Sequence, residues 1–169
     1  MLITDAVLGE TTSFFPLASA NDHINAALCL VKQAKKQVLI YSYDLDASVY
    51  DHEALVTELS RLGTSSRLAN IKVLINNSDR MVQHGHRLVT LSQRISSHFT
   101  IHKFVADLST VSQFFLTVDQ CGFLYRNNIE AYPGKACFNS KSRVKIFNHI
   151  FYEAWDRSEA DPELRRLYV

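Results

Sequence analysis

The stretch Asp79-Arg80-Met81-Val82-Gln83-His84-Gly85-His86-Arg87 gathers the groups best suited to chemistry in this chain. It follows directly on Ile71-Lys72-Val73-Leu74-Ile75, an apolar run of strand length. Open α/β sheets take ligands beyond the carboxyl ends of their strands, near helix N-termini. Arg80, His84 and Arg87 stand at i, i+4 and i+7 and would share one face of a continuous helix. Two guanidinium groups and an imidazole on that face would suit a phosphate or carboxylate. A solvated helix face with ordinary charge pairs is the plainer alternative. His84-x-His86 is half of a zinc pattern, but residues two apart diverge on a helix and no third ligand is close in sequence, so no metal is expected.

Further candidates lie at other element ends. Tyr41, Tyr43, Asp44 and Asp46 close the first apolar strand, and a carboxylate pair there would suit acid/base work or would cap the next helix. Asp119 and Arg126 flank a tight turn. They would form an ion pair across a hairpin or, alternatively, present Arg126 to an anion. Ser112 is a weak nucleophile with no base beside it in sequence; His86 would have to reach it through the fold. His86, Ser112 and Asp119 are therefore the catalytic candidates of a hydrolase or transferase. Lys135, Lys141, Arg143 and Lys145 make a basic region before the last helix, with Lys141 and Lys145 on one face, as for non-specific nucleic-acid contact or a solvated surface.

Hydrophobic periodicity supplies the elements that hold these groups. Phe14-Phe15-Pro16-Leu17 reads as a short extended entry. Ser19, Asn21 and Asp22 are N-cap residues for a helix carrying Ile24, Ala27, Leu28, Val31 and Ala34. Val38–Tyr43 is a strand buried on both faces, as in a parallel sheet. Asp51 is expected to cap a helix over His52–Leu62 that stops at Gly63. Ile71–Ile75 completes a right-handed βαβ unit. A third helix opens at Asp79, with Gly85 as a possible break. Phe99–Phe104 alternates as a half-buried strand, and Ser112–Val118 and Gly122–Arg126 form a hairpin. Residues 127–139 read as irregular, and Ser142–Arg157 as an aromatic-faced helix. Asp161-Pro162 starts one more turn of helix. The expected fold class is α/β, with a mixed sheet flanked by helices on both faces in one domain over residues 1–169.

Composition narrows the function classes. The 169 residues are 47% hydrophobic and 21% charged, as in ordinary globular proteins. Lys plus Arg number 18 against 17 Asp plus Glu, for a net charge of +1, which disfavours a polybasic nucleic-acid binder. Three scattered cysteines make no disulfide framework, and no signal peptide or membrane-spanning run is read, so a cytoplasmic location is expected. No cofactor-binding pattern is read.

Gln33–Tyr43, Ile71–Ile75 and Phe147-x3-Phe151-x3-Trp155-x2-Ser158, in that order, resemble one half of the phospholipase D superfamily over most of residues 14–160. That family's motif is H-x-K-x4-D, in which the His is the nucleophile and the Lys holds phosphate oxygens. The matching segment here is Ser112-Gln113-Phe114-Phe115-Leu116-Thr117-Val118-Asp119, which keeps only the Asp. The resemblance thus implies the fold without the family's phosphodiesterase chemistry, and the pairing of two copies as a homodimer. Gly85–Val89, Arg94, Asp119-x2-Gly122-x3-Arg126 and Asp161–Arg165 also resemble an uncharacterised bacterial domain family. Such domains sometimes accompany an N-acetyltransferase domain, which is then an expected partner. The leading expectation is a non-catalytic domain that binds a small phosphate-type anion or a protein, with Arg80, His84, Arg87, Asp119 and Arg126 as ligand residues. A rebuilt hydrolase or transferase, or a nucleic-acid-binding module, are the alternatives.

Overall fold

The computed structural model describes residues 1–105 and 113–166. After a 3-10 turn at Ile3–Asp5 come β1 (Phe14–Leu17), α1 (Ala20–Lys32), β2 (Gln37–Ser42), α2 (Ala47–Tyr50) and α3 (Glu53–Ser65). Then follow β3 (Asn70–Ile75), α4 (Asp79–His84), α5 (Arg87–Arg94), β4 (Phe99–Lys103), β5 (Phe114–Val118) and β6 (Gly122–Arg126). The chain continues through β7 (Gly134–Cys137), α6 (Lys141–Trp155), β8 (Glu159–Ala160) and α7 (Pro162–Arg166). Among the described residues the strands make one mixed sheet of order β1-β7-β6-β5-β2-β3-β4-β8.

Val38, Leu39 and Ile40 have no exposed surface because β2 lies mid-sheet, parallel to β3 and antiparallel to β5. Alternate residues feed two cores. Val38, Ile40, Ile71 and Val73 pack with Leu30, Val31, Leu59 and Leu62 of α1 and α3. Leu39, Tyr41, Leu74 and Phe115 pack with Val144, Phe147 and Phe151 of α6. Helices therefore cover both faces, as the unbroken apolar run of β2 implied. A fully buried side chain such as Phe151 contributes about 1.5–3 kcal/mol through apolar burial.

Side-chain caps start α1 and α7. The Ser19 hydroxyl accepts the Asp22 N–H at 3.2 Å and the Asp22 carboxylate accepts the Ser19 N–H at 3.3 Å, a capping box for α1. The Asp161 carboxylate accepts the Glu163 N–H at 2.9 Å and so starts α7. It also accepts the Ser78 hydroxyl at 2.5 Å and lies 3.9 Å from Lys103 Nζ, which ties the tail to the ends of β3 and β4.

Several boundaries differ from the sequence reading. Asp51 does not cap α3; His52 is the N-cap, without a side-chain bond, and the Asp51 carboxylate accepts the Arg87 N–H at 3.0 Å. Gly63 lies inside α3 rather than ending it, because a Cβ there would meet Ile95 Cδ1 at 2.6 Å: the glycine serves close packing. Residues 134–137 are not irregular but form β7, a strand held on both sides by β1 and β6. Its sequence GKAC lacks β-branched residues, so its extended form is imposed by its neighbours.

Candidate functional site

Beyond Ser42 and Ile75 the chain turns away from β2 and β3, leaving a cleft of about 460 Å³. Asp44, Asp51, Arg80, His84 and His86 line it. Leu45 holds the near wall with φ at +55°, its N–H bonded to the Ser42 hydroxyl at 3.0 Å. Arg80 is 79% exposed at its side chain and stands 3.8 Å from the Asp44 carboxylate. Burial, and then the nearby charge of Asp46, hold the Asp44 carboxyl above the usual carboxylate range, against the pull of Arg80.

Arg80, His84 and Arg87 do not share a continuous helix. Gly85, at φ +73° and ψ 170°, breaks the segment into α4 and α5. Arg80 and His84 remain one turn apart on α4, whereas Arg87 belongs to α5 and pairs with Asp51 at 3.3 Å. His86 is the N-cap of α5. Its Nδ1 accepts the Leu88 N–H at 3.1 Å, which leaves the proton on Nε2 to be donated to the Leu45 carbonyl at 2.9 Å. Burial is the main cause that lowers its pKa from the ordinary value, so it sits there as a neutral, doubly engaged imidazole.

Arg126 lies behind this cleft, with only 11% of its side chain exposed. It pairs with Asp46 at 3.3 Å and lies over the Tyr132 ring at 4.9 Å. The Tyr132 hydroxyl donates to the same Asp46 carboxylate at 2.9 Å, and the Ser48 N–H donates to it at 3.0 Å as the N-cap bond of α2. The gap beside Arg126, His23 and Phe114 holds only about 10 Å³, less than an oxyanion needs. Its charge therefore serves Asp46.

Asp119 lies at the opposite end of the central strands, just past β5. It and Gln120 have φ of +49° and +62°, left-handed conformations within the three-residue loop between Val118 and Gly122. Its carboxylate accepts the N–H groups of Lys35, Lys36 and Gln37 at 2.7, 2.8 and 2.8 Å. The Asp119–Arg126 pair across the hairpin does not form, because Arg126 faces Phe114 at the far end of the ladder. Asp119 reaches the start of β2 and His86 the loop after its end, so about 17 Å of strand separates them. The structure does not bring His86 and Asp119 together. Ser112 lies outside the described residues. Among the described residues no group of three metal-ligating side chains occurs, and no helix is long and apolar enough to cross a membrane.

Residues 19–167 match a family described as a domain of unknown function, DUF7931. The chain belongs to the DUF7931 family. No functionally curated protein matches it. Solved structures do. One is TrmBL2, described as an archaeal chromatin protein with a novel mode of DNA binding, at 10% identity and TM-score 0.63 over 88% of this chain and 54% of that one. Another is Nuc from Salmonella typhimurium, described as a phospholipase D family member, at 11% identity and TM-score 0.60 over 87% of this chain and 96% of Nuc. NucT from Helicobacter pylori matches at 10% identity and TM-score 0.58 over 88% of this chain and all of NucT (100%). The DUF7931 chain thus spans about half of TrmBL2 and nearly all of the other two. These likenesses show a phospholipase D-like α/β fold.

Asp51, which lines the cleft, and Tyr132 and His23, which lie around Arg126 behind it, were not among the sequence candidates for binding. The His23 Nε2 lies 2.6 Å from the Tyr132 carbonyl, a contact across 109 residues that no local pattern could signal. Asp51 carried a signal, but one that pointed to the wrong helix.

Proposed function

We propose that this DUF7931 domain is a non-catalytic, phospholipase D-like binding domain. Its ligand is a small phosphate-type anion taken into the cleft beyond β2 and β3. The observation that carries this reading is the placement of Arg80 and His84, one turn apart on α4, along that cleft. An exposed ion pair contributes only about 0–1 kcal/mol, so the Arg80 guanidinium leaves Asp44 readily for an incoming oxyanion. Arg87 and Arg126 are occupied by Asp51 and Asp46 and act by shaping the walls. The missing His and Lys of H-x-K-x4-D support a binding rather than a phosphodiesterase role.

Calorimetric titration with inorganic phosphate and with a dialkyl phosphodiester tests this. Binding by the natural chain, weakened at least ten-fold in Arg80→Ala and in His84→Ala, is the expected result. Affinity unchanged in both variants overturns the site. A flat titration of the natural chain overturns the anion and leaves a protein partner as the remaining form of the reading. A rebuilt hydrolase or transferase is the second reading, favoured by the raised carboxyl of Asp44 inside the same cleft. Turnover of a chromogenic phosphodiester, abolished in Asp44→Asn, would replace binding by catalysis.

The reading also includes a homodimer and an N-acetyltransferase domain as partner, both drawn from the family resemblances. A cytoplasmic setting is in keeping with three free cysteines. Co-purification with a neighbouring acetyltransferase tests that partner, and its absence at micromolar concentration of both would remove it.

A further inference from the structure

At the end of the central strands opposite the Arg80 cleft, a cavity of about 620 Å³ opens between α6 and the start of β2. Lys141, Lys145, Asn148 and Tyr152 line it from α6, and Gln37 and Asp119 from the sheet side. The steps of four, three and four residues put the α6 groups on a single face. Of the residues expected to hold a small anion only Asp119 is here; Lys141 and Lys145 come from the basic region read as a nucleic-acid contact or a solvated surface.

The polar groups that α6 supplies to this cavity are left as donors, and Gln37 and Gln120 add amides from the sheet side. The Asp119 carboxylate, its one acid, is already used by three main-chain N–H groups. Tyr152 Oη accepts from Gln37 Nε2 at 2.8 Å and keeps its own O–H to donate. Asn148 Oδ1 accepts the Thr117 hydroxyl at 2.8 Å and keeps both N–H groups. Among the described residues neither Lys141 nor Lys145 forms an ion pair, although pairs of this kind occur elsewhere on the surface. No acidic residue stands in the first turn of α6 to offset them. Two ammonium groups, an amide and a phenol are thus all left as donors around a volume suited to a small molecule.

We propose that this cavity binds the phosphate groups of a small phosphorylated ligand, of the size and charge of a nucleoside diphosphate. Lys141 and Lys145 are about 6 Å apart along the helix axis, a span that two linked phosphates bridge. Asn148 and Tyr152 donate to the remaining oxygens, one and two turns further along. The site is independent of the Arg80 cleft.

Titration calorimetry on the full chain decides this, with inorganic phosphate, pyrophosphate and adenosine diphosphate as probes. The expected result is sub-millimolar binding of pyrophosphate or the diphosphate, weakened at least ten-fold in Lys141→Ala/Lys145→Ala and kept in Lys145→Arg. Arg80→Ala leaves that affinity within two-fold, which separates this site from the cleft. Equal affinity for pyrophosphate and adenosine diphosphate assigns the whole interaction to phosphate; tighter binding of the nucleotide adds the nucleoside at the Tyr152 end. No binding of any probe by the natural chain overturns the proposal. So does affinity that survives when Lys141→Ala/Lys145→Ala is combined with Arg80→Ala, which removes the cleft's contribution, provided the unfolding midpoint matches that of the natural chain, or affinity that disappears in Arg80→Ala alone.

Discussion

Asp119 is the one residue of its segment that matches the H-x-K-x4-D pattern, and its carboxylate holds the loop between α1 and β2 through three main-chain amides. Hydrogen bonds to a charged group contribute about 1.5–3 kcal/mol when sheltered, and less at a half-exposed turn such as this one. Asp119→Ala is therefore expected to cost about 2 kcal/mol, a drop in thermal midpoint of about 4–8 °C by calorimetry. An unchanged midpoint would mean that water replaces the carboxylate without penalty. His86 gives the chain a pH dependence. Burial, the largest cause, lowers its pKa and also that of His23, so on acidification the unfolded chain takes up protons that the folded chain does not. The stability tied to these residues is complete above the unfolded value of about 6.5 and is lost as pH falls below it toward the lowered folded values. Urea midpoints at about pH 7.5 and about pH 5.5 check the sign. His86→Asn keeps a cap for Leu88 but cannot titrate, and is expected to show a smaller drop between the two conditions.

At the scale of elements, the break between α4 and α5 decides what the polar segment can do. Gly85 occupies a backbone region, φ +73° and ψ 170°, that is almost closed to other residues. A Cβ there would meet no atom within 4 Å, so the cost of a side chain is all in the backbone. Gly85→Ala is expected to destabilise by about 1–3 kcal/mol in a denaturant titration. A neutral result would show that α4 can re-aim freely, and Arg80 and His84 with it. The same break moves Arg87 from the ligand face to Asp51. The glycine was legible as an interruption. Where the following helix would point was not, because that is set by His86 reaching the Leu45 carbonyl across 41 residues.

At the scale of the whole molecule, α6 is, among the described residues, the one helix on its face of the sheet, while α1, α3 and α5 share the other. Ile146 on α6 is 62% exposed and Phe14 on the edge strand 46% exposed. That thinly covered side is the face on which the proposed homodimer would form. Light scattering at micromolar concentration is expected to give twice the 19.2 kDa of one chain, with Ile146→Glu shifting it to a monomer. A monomeric natural chain would remove the dimer. The two anion sites proposed here sit at opposite ends of the central strands, so ligands at both would not compete.

Hydrophobic order alone determined the α/β class, the parallel β2 and β3 with α3 between them, and the aromatic face of α6. Each of these follows from side-chain period within a single element, which is a local property. What the tertiary structure alone decided is partnership. It directed Asp119 to the amides of residues 35–37 and Arg126 to Asp46, and it made strands of residues 134–137 and 159–160 by pairing them with neighbours that have better signals. It also brought Lys141 and Lys145 to a cavity against β2, more than a hundred residues away in sequence. A charged side chain carries no periodic signature of the group it will meet, because its partner is chosen by how the sheet assembles.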